Sequence, residues 1–101
     1  MTATSYTFEA NETFDPFGDA GTLTAHHEYG ISMDGTSDSG TFGGGTITIE
    51  RYIPELASWA FAASATETSA IRLAVGIRSK FRATMAGAAS PLVKFAYWPI
   101  Q

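Results

Sequence analysis

The chain has 101 residues, 45% hydrophobic and 13% aromatic, which is enough for one domain with a packed core. Charged residues make up only 16%. The absence of cysteine excludes disulfides and thiolate metal sites. The net charge of −4 argues against nucleic-acid binding through a basic surface. No apolar run approaches the roughly 20 residues that span a bilayer, and the first residues lack signal-peptide features, so we expect no membrane contact and assembly in a cytoplasm.

The first third of the chain predicts two strands joined by a turn-rich connection. Residues 3–9 alternate, with Tyr6 and Phe8 on one face, and residues 22–33 alternate over a longer stretch. In the connection, residues 11–21, Phe14 and Phe17 are expected to fold back onto the core. Because 22–33 is long for one strand, we expect a bend or bulge at Gly30.

A glycine-rich loop, residues 34–45, leads into the clearest strand of the chain. Residues 46–51 alternate strictly between threonine or glutamate and isoleucine or arginine, which is typical of a half-buried strand. Residues 53–63 are ambiguous, because Pro54 is compatible with a helix start whereas Trp59 and Phe61 alternate as in a strand. We favour a loop that leads to a short strand.

The last part of the chain predicts three more strands, over residues 71–77, 81–85 and 92–98, with a turn at 87–91. Six to eight short strands without helical periodicity predict one all-β domain over residues 1–101, an antiparallel β-sandwich or barrel.

Several residues invite a chemical interpretation that their spacing does not support. His26 and His27 are adjacent on a predicted strand and point to opposite faces, so they cannot chelate one ion together without a bulge. The segment 34–38 lacks the terminal glutamate of a calcium loop, and the glycines at 43–45 precede a strand rather than the helix of a phosphate loop. We therefore expect no enzyme activity, metal or cofactor.

The two charge signs are segregated along the chain. Residues 1–50 contain eight acids and no base, whereas residues 51–101 contain all six bases and two acids. Either the signs mix when strands interleave, or the acidic side of one protomer meets the basic side of a neighbour. The basic residues Arg78, Lys80 and Arg82 around Phe81 could bind single-stranded nucleic acid, but the acidic net charge favours a solvated strand face with Phe81 in the core.

The C-terminal strand carries bulky apolar side chains on both faces. Such a strand is either central in its sheet or covered by another subunit, and a partner would also explain the low charge content. The predicted partner interface comprises Phe95, Tyr97, Trp98, Pro99, Ile100, Phe14 and Phe17.

A pattern of turns and strands over residues 39–98 resembles small bacteriophage virion structural proteins. The resemblance is carried by the run from Gly40 to Glu50, by Trp59, and by the run from Lys80 to Pro91 with its Gly-Ala-Ala-Ser-Pro turn. Residues 53–58 depart from the pattern, in which an Asp-Gly hairpin is usual.

The resemblance implies an immunoglobulin-like or related β-sandwich in a virion, most often a capsid decoration or cement protein. Such a protein would bind the major capsid protein or another virion protein and self-associate as a trimer or as interlocked copies. A head–tail connector, neck or fibre-base component is the alternative within the virion. From another class, a carbohydrate-binding module would use Trp59, Tyr97 or Trp98 as a stacking platform.

Overall fold

The computed structural model describes residues 3–17, 28–35, 41–75 and 80–100, which form eight β-strands and contain no helix. The strands are β1 (Thr4–Phe8), β2 (Thr13–Phe14), β3 (Glu28–Asp34), β4 (Thr46–Ile53), β5 (Ser58–Ala65), β6 (Ser69–Ala74), β7 (Phe81–Ala86) and β8 (Val93–Pro99). The predicted strand at 22–33 is confirmed from residue 28 onward, and its first residues lie outside the described part.

Two four-stranded antiparallel sheets form a sandwich, which confirms the predicted fold class. One sheet has the order β1-β8-β3-β6 and the other β2-β7-β4-β5. This order is that of an eight-stranded jelly roll, in which the chain crosses repeatedly between the sheets. It corrects the immunoglobulin-like arrangement that the resemblance implied, because there the first strand pairs with strands close to it in sequence.

The core lies between the sheets and is built from alternate residues of each strand, as the predicted periodicity requires. Phe8, Ile31, Ile49, Phe81 and Phe95 have no exposed surface. The prediction that Phe81 belongs to the core is therefore confirmed. The solvated strand face expected around it is not, because Lys80 is only 5% exposed and Arg82 is half-buried.

The glycines before β4 form a tight turn whose geometry favours glycine. Gly43 and Gly44 both have positive φ (60° and 78°), and the amide of Gly45 donates to the carbonyl of Phe42 at 2.9 Å. Positive φ at both central positions is the signature of a type I′ turn. A Cβ atom on Gly43 would lie 2.3 Å from the Ala89 carbonyl oxygen, so this turn is packed against the segment that precedes β8.

The ambiguous segment is a hairpin. Strand β4 continues to Ile53, residues 54–57 turn, and β5 begins at Ser58, with Ala57 at a φ of 50°. Strand β5 is longer than the short strand that the sequence predicted, and Pro54 lies in the turn rather than at the start of a helix. The register between β4 and β5 shifts between Ile49 and Glu50, leaving Ala62 as the extra residue of a bulge.

The prediction of a bend or bulge at Gly30 is wrong. Gly30 is paired in regular register with Trp98 on one side and Arg72 on the other. A Cβ atom at this position would lie 2.3 Å from the Trp98 indole ring. The glycine therefore makes room for a side chain on the neighbouring strand and does not bend its own.

Candidate protein-binding surface

Strand β8, the predicted interface strand, lies in the middle of its sheet between β1 and β3. The sequence offered two explanations for its apolar faces, a central position in the sheet or cover by another subunit, and the fold shows the central position. Phe95 has no exposed surface, with its ring 5.9 Å from that of Phe8 in an edge-on contact. This burial contradicts Phe95 as a partner contact, because its side chain already packs within the protomer.

Three of the other predicted aromatic residues, Phe14, Phe17 and Tyr97, belong to one cluster inside the sandwich. Phe14 stacks on Tyr6 at 4.4 Å, and Phe17 lies 5.2 Å from Phe81. Tyr97 lies between them, with its ring 6.2 Å from both Phe14 and Phe17. The expectation that Phe14 and Phe17 fold back onto the core is confirmed, and all three side chains remain only partly exposed.

The last predicted interface residues lie on the outer side of the same sheet or at its end. The indole of Trp98 covers Gly30 and is partly exposed. Pro99 pairs with Tyr29, and the amide of Ile100 donates to the carbonyl of Glu28 at 2.9 Å. The structure therefore secures this chain end by backbone pairing, and contact of Trp98, Pro99 and Ile100 with a partner stays a prediction.

A different surface carries the most exposed large hydrophobic side chains of the described residues. These are Leu56, 69% exposed in the β4–β5 turn, and Phe61, 67% exposed on β5. Around them, β4, β5 and β7 present an aromatic and cationic cluster on the outer side of their sheet. We call this surface the hairpin face and define it by Tyr52, Leu56, Trp59, Phe61, Lys80 and Arg82.

Strand pairing brings the hairpin face together. Tyr52 and Trp59 are cross-strand partners on β4 and β5, with rings 5.4 Å apart in an edge-on arrangement. On β7, Phe81 points into the core, so Arg82 points outward, and its guanidinium carbon lies 4.1 Å from the centre of the Trp59 ring. The ammonium of Lys80 lies 5.3 Å from the Tyr52 ring and 5.5 Å from that of Trp59.

These cations are held in place by more than the rings. The Nε atom of Arg82 donates to Glu50 Oε1 at 2.8 Å, with both side chains half-buried. Lys80 is only 5% exposed. Cation–π contacts are strengthened when water is excluded, so the aromatic side chains are fixed before any partner arrives.

The hairpin face was missed in the sequence because two of its strands are distant along the chain. The pairing of β4 with β7 places Glu50 opposite Arg82. A local signal existed nevertheless, since Tyr52 and Trp59 flank a segment with Pro54 that can close a tight turn. Reading residues 53–58 as a hairpin would have put the two rings opposite each other.

The sheet edge near the N-terminus has an acidic character. Partial burial raises the pKa of Tyr6 above its usual 10.0, and a hydrogen bond to Glu12 and the charges of Glu12 and Glu9 add to the effect. Each factor disfavours the phenolate. This tyrosine therefore keeps its proton in the native state to a higher pH than in the unfolded chain.

The described ranges contain no cavity, no cluster of three metal-ligating side chains, and no helix of the length and hydropathy that crosses a bilayer. His26, His27 and Asp38 lie outside the described residues, as does Arg78 of the proposed basic strip.

Comparisons with known proteins support the fold alone. No protein-family model and no curated protein matches the chain. A glycosylation-associated protein (Gap123) complex from Streptococcus agalactiae aligns over 96% of this chain, with a TM-score of 0.54 and 12% identity, and this chain spans 37% of that one. The Yersinia pseudotuberculosis-derived mitogen (YPM) aligns over 95% of this chain and 82% of its own length, with a TM-score of 0.54 and 11% identity.

Proposed function

We propose that this chain is a non-enzymatic structural protein of a bacteriophage virion, most simply a capsid decoration protein that binds the major capsid protein through its hairpin face. The observation that carries the proposal is that one hairpin holds Leu56 and Phe61, the two most exposed large hydrophobic side chains of the described part. Trp59, on the same strand as Phe61, is contacted by the guanidinium of Arg82. Tryptophan, tyrosine and arginine are the residue types that dominate binding energy at protein interfaces.

Two further arguments favour a virion among possible protein partners. The sequence pattern over residues 39–98 resembles small phage structural proteins, and jelly rolls occur in viral capsid proteins. A decoration protein gains from many copies on one shell, because binding only the assembled shell stabilises that shell by mass action.

Co-sedimentation with expanded capsid shells of the phage that encodes the sequence tests this function. The wild-type protein is expected to sediment with the shells in proportion to their capsid subunits, whereas a connector or neck protein would bind at one ring per particle. No binding to shells or to any other virion fraction would contradict the proposal.

Two variants locate the surface. The double substitution Leu56→Ser and Phe61→Ser removes exposed apolar area without touching the core, and it should abolish shell binding while the circular dichroism spectrum is retained. Trp98→Ala alters the outer side of the other sheet and should bind as the wild type does. The reverse result would return the interface to the C-terminal strand predicted from the sequence.

Carbohydrate binding is the second candidate, and the position of Trp98 favours it. Its indole lies over Gly30 on an outer sheet surface, beside the ion pair of Arg72 with Glu28 at 2.9 Å. A partly exposed flat ring next to charged hydrogen-bonding groups is suited to stacking with a sugar, and lectins also use the jelly roll. Binding on a glycan array that is lost with Trp98→Ala, together with no shell binding, would establish this function instead.

A further inference from the structure

Strand β5 is an open edge of the sandwich. It pairs with β4 on one side, and no described strand pairs with its other side. With eight residues it is the longest of the four edge strands in the described part; β2 has only two. An edge strand presents unpaired backbone N–H and C=O groups, which are a template for another strand.

The sequence of β5 lacks the side chains that usually protect such an edge. Its residues, from Ser58 to Ala65, include no charge and no proline, whereas the edge strand β6 of the other sheet carries Arg72. Phe61 on β5 is 67% exposed, so this edge also leaves apolar area in water. The bulge at Ala62 is the one protective feature, and it leaves the segment before it regular.

We infer that two copies of this chain associate by antiparallel pairing of β5 with β5, about a two-fold axis at Ala60. Opposite residues of antiparallel strands must point to the same side of the sheet, so the axis has to pass through a residue. Centred on Ala60, the pairing places Trp59 of each copy opposite Phe61 of the other. Two aromatic cross-strand pairs then form on the outer side, and the two sheets become one eight-stranded sheet.

The absence of charge on β5 favours a second copy as the occupant. In a symmetric pairing each strand faces its own sequence, so any charged residue near the axis meets a like charge, which is destabilising. Strand β5 has no charge to place there, whereas symmetric pairing of β6 would bring Arg72 near its counterpart. The pairing also packs Phe61 against Trp59 of the other copy and sets the two hairpin faces side by side on one continuous sheet.

Cysteine trapping in the purified protein tests the axis directly, because the chain has no cysteine of its own. Residues opposite each other in antiparallel strands have Cα atoms about 4.5–5.5 Å apart, within the range of a disulfide. Ala60→Cys should therefore form a disulfide-linked dimer under mild oxidation. Ser64→Cys, exposed on the same strand but away from the axis, is the matched control and should remain monomeric on a denaturing gel.

Sedimentation equilibrium measures the same association without a crosslink. The wild type is expected to reach twice the 10.7 kDa protomer mass as concentration rises. Phe61→Lys removes both aromatic pairs at once and should raise the dissociation constant about tenfold or more. Ala70→Lys, which adds the same charge at an exposed position of the edge strand β6, should leave the dissociation constant unchanged.

The inference is overturned if the wild type stays monomeric at every concentration, or if Ala60→Cys crosslinks no faster than Ser64→Cys. A trimer that ignores Phe61→Lys would equally contradict it and place self-association on another surface. None of these measurements involves a capsid, so failure of the proposed function would leave their outcome unaffected.

Discussion

The contact between Gly30 and Trp98 allows a double-mutant test of how the outer side of the β1-β8-β3-β6 sheet is packed. The two residues are direct neighbours on β3 and β8. A Cβ atom added at Gly30 would lie 2.3 Å from one indole atom and 2.4 Å from another, which no real contact tolerates. Gly30→Ala therefore forces the indole of Trp98 off the sheet.

The expected magnitude follows from two opposing contributions. Replacing glycine by alanine within a strand stabilises the native state by about 0.5–1 kcal/mol, since the unfolded chain loses freedom. Forcing an extra methyl group into an occupied position costs about 1–3 kcal/mol. In the wild-type background Gly30→Ala should therefore lower the free energy of unfolding by about 1 kcal/mol, whereas in a Trp98→Ala background it should raise that energy by about 0.5 kcal/mol.

Urea denaturation of the wild type, both single variants and the double variant, followed by far-ultraviolet circular dichroism, measures these four free energies. The reasoning requires a coupling energy of about 1–3 kcal/mol between the two positions. If Gly30→Ala has the same effect with and without the indole, Trp98 does not occupy the space above Gly30, and the account of this glycine is wrong.

Three further predictions concern the core, the turn before β4 and the N-terminal edge. Phe95→Ala should lower the unfolding free energy by about 3–5 kcal/mol, because this ring is fully buried. Phe61→Ala should change that energy by less than about 0.5 kcal/mol, because its ring is exposed. Equal effects in urea denaturation would contradict the placement of the two rings. Gly43→Ala should lower the unfolding free energy clearly more than Gly44→Ala does, because only at Gly43 would the new methyl group meet a backbone oxygen. The loss at Gly44 is limited to about 1–2 kcal/mol of left-handed strain. Similar melting temperatures of the two variants would argue against the packed turn. Because the pKa of Tyr6 is raised in the native state, its contribution to stability is complete below the unfolded pKa and is lost as pH rises through the native pKa. Tyr6→Phe should therefore flatten the fall in unfolding free energy above about pH 10. If the fall is unchanged in this variant, Tyr6 is not its cause.

Local periodicity predicted most of the fold. The alternation in β4, β7 and β8 was read correctly because side chains on a strand report directly which face is buried, and Phe81 and Phe95 fall on the buried face. The strand order could not be predicted in the same way. Whether β8 is central or at an edge depends on which distant strands pair with it, and its apolar outer residue Trp98 has the same sequence signature in both cases.

The candidate surface was harder to predict than the fold. The sequence directed attention to the chain end, where aromatic residues are dense, and most of those side chains turned out to pack inside the sandwich. Trp59 and Phe61 stood out less, yet the edge position of β5 leaves Phe61 exposed. Exposure is a property of topology, so an aromatic residue on an edge strand and one on a central strand cannot be told apart by periodicity alone.

The topology of the described residues bears on the two interpretations of the segregated charges. In this strand order, β2 and β3 from the acidic half pair with β7, β6 and β8 from the basic half. Both described ion pairs join the halves, Glu28 with Arg72 and Glu50 with Arg82. In the described part of the chain the signs therefore mix across each sheet, which favours the first of the two interpretations.

A consequence for association follows from this mixing. If neighbouring charges neutralise each other within the protomer and β5 carries none, the pairing of two copies depends on backbone hydrogen bonds and apolar contact. Screening by salt weakens contacts between exposed charges and leaves apolar burial largely intact. The dissociation constant of the dimer should therefore change by less than about threefold between 0.05 M and about 0.5 M sodium chloride. A loss of affinity of about tenfold or more over this range would show that opposite charges of two protomers meet at the interface, and would restore the electrostatic model in place of the paired strands.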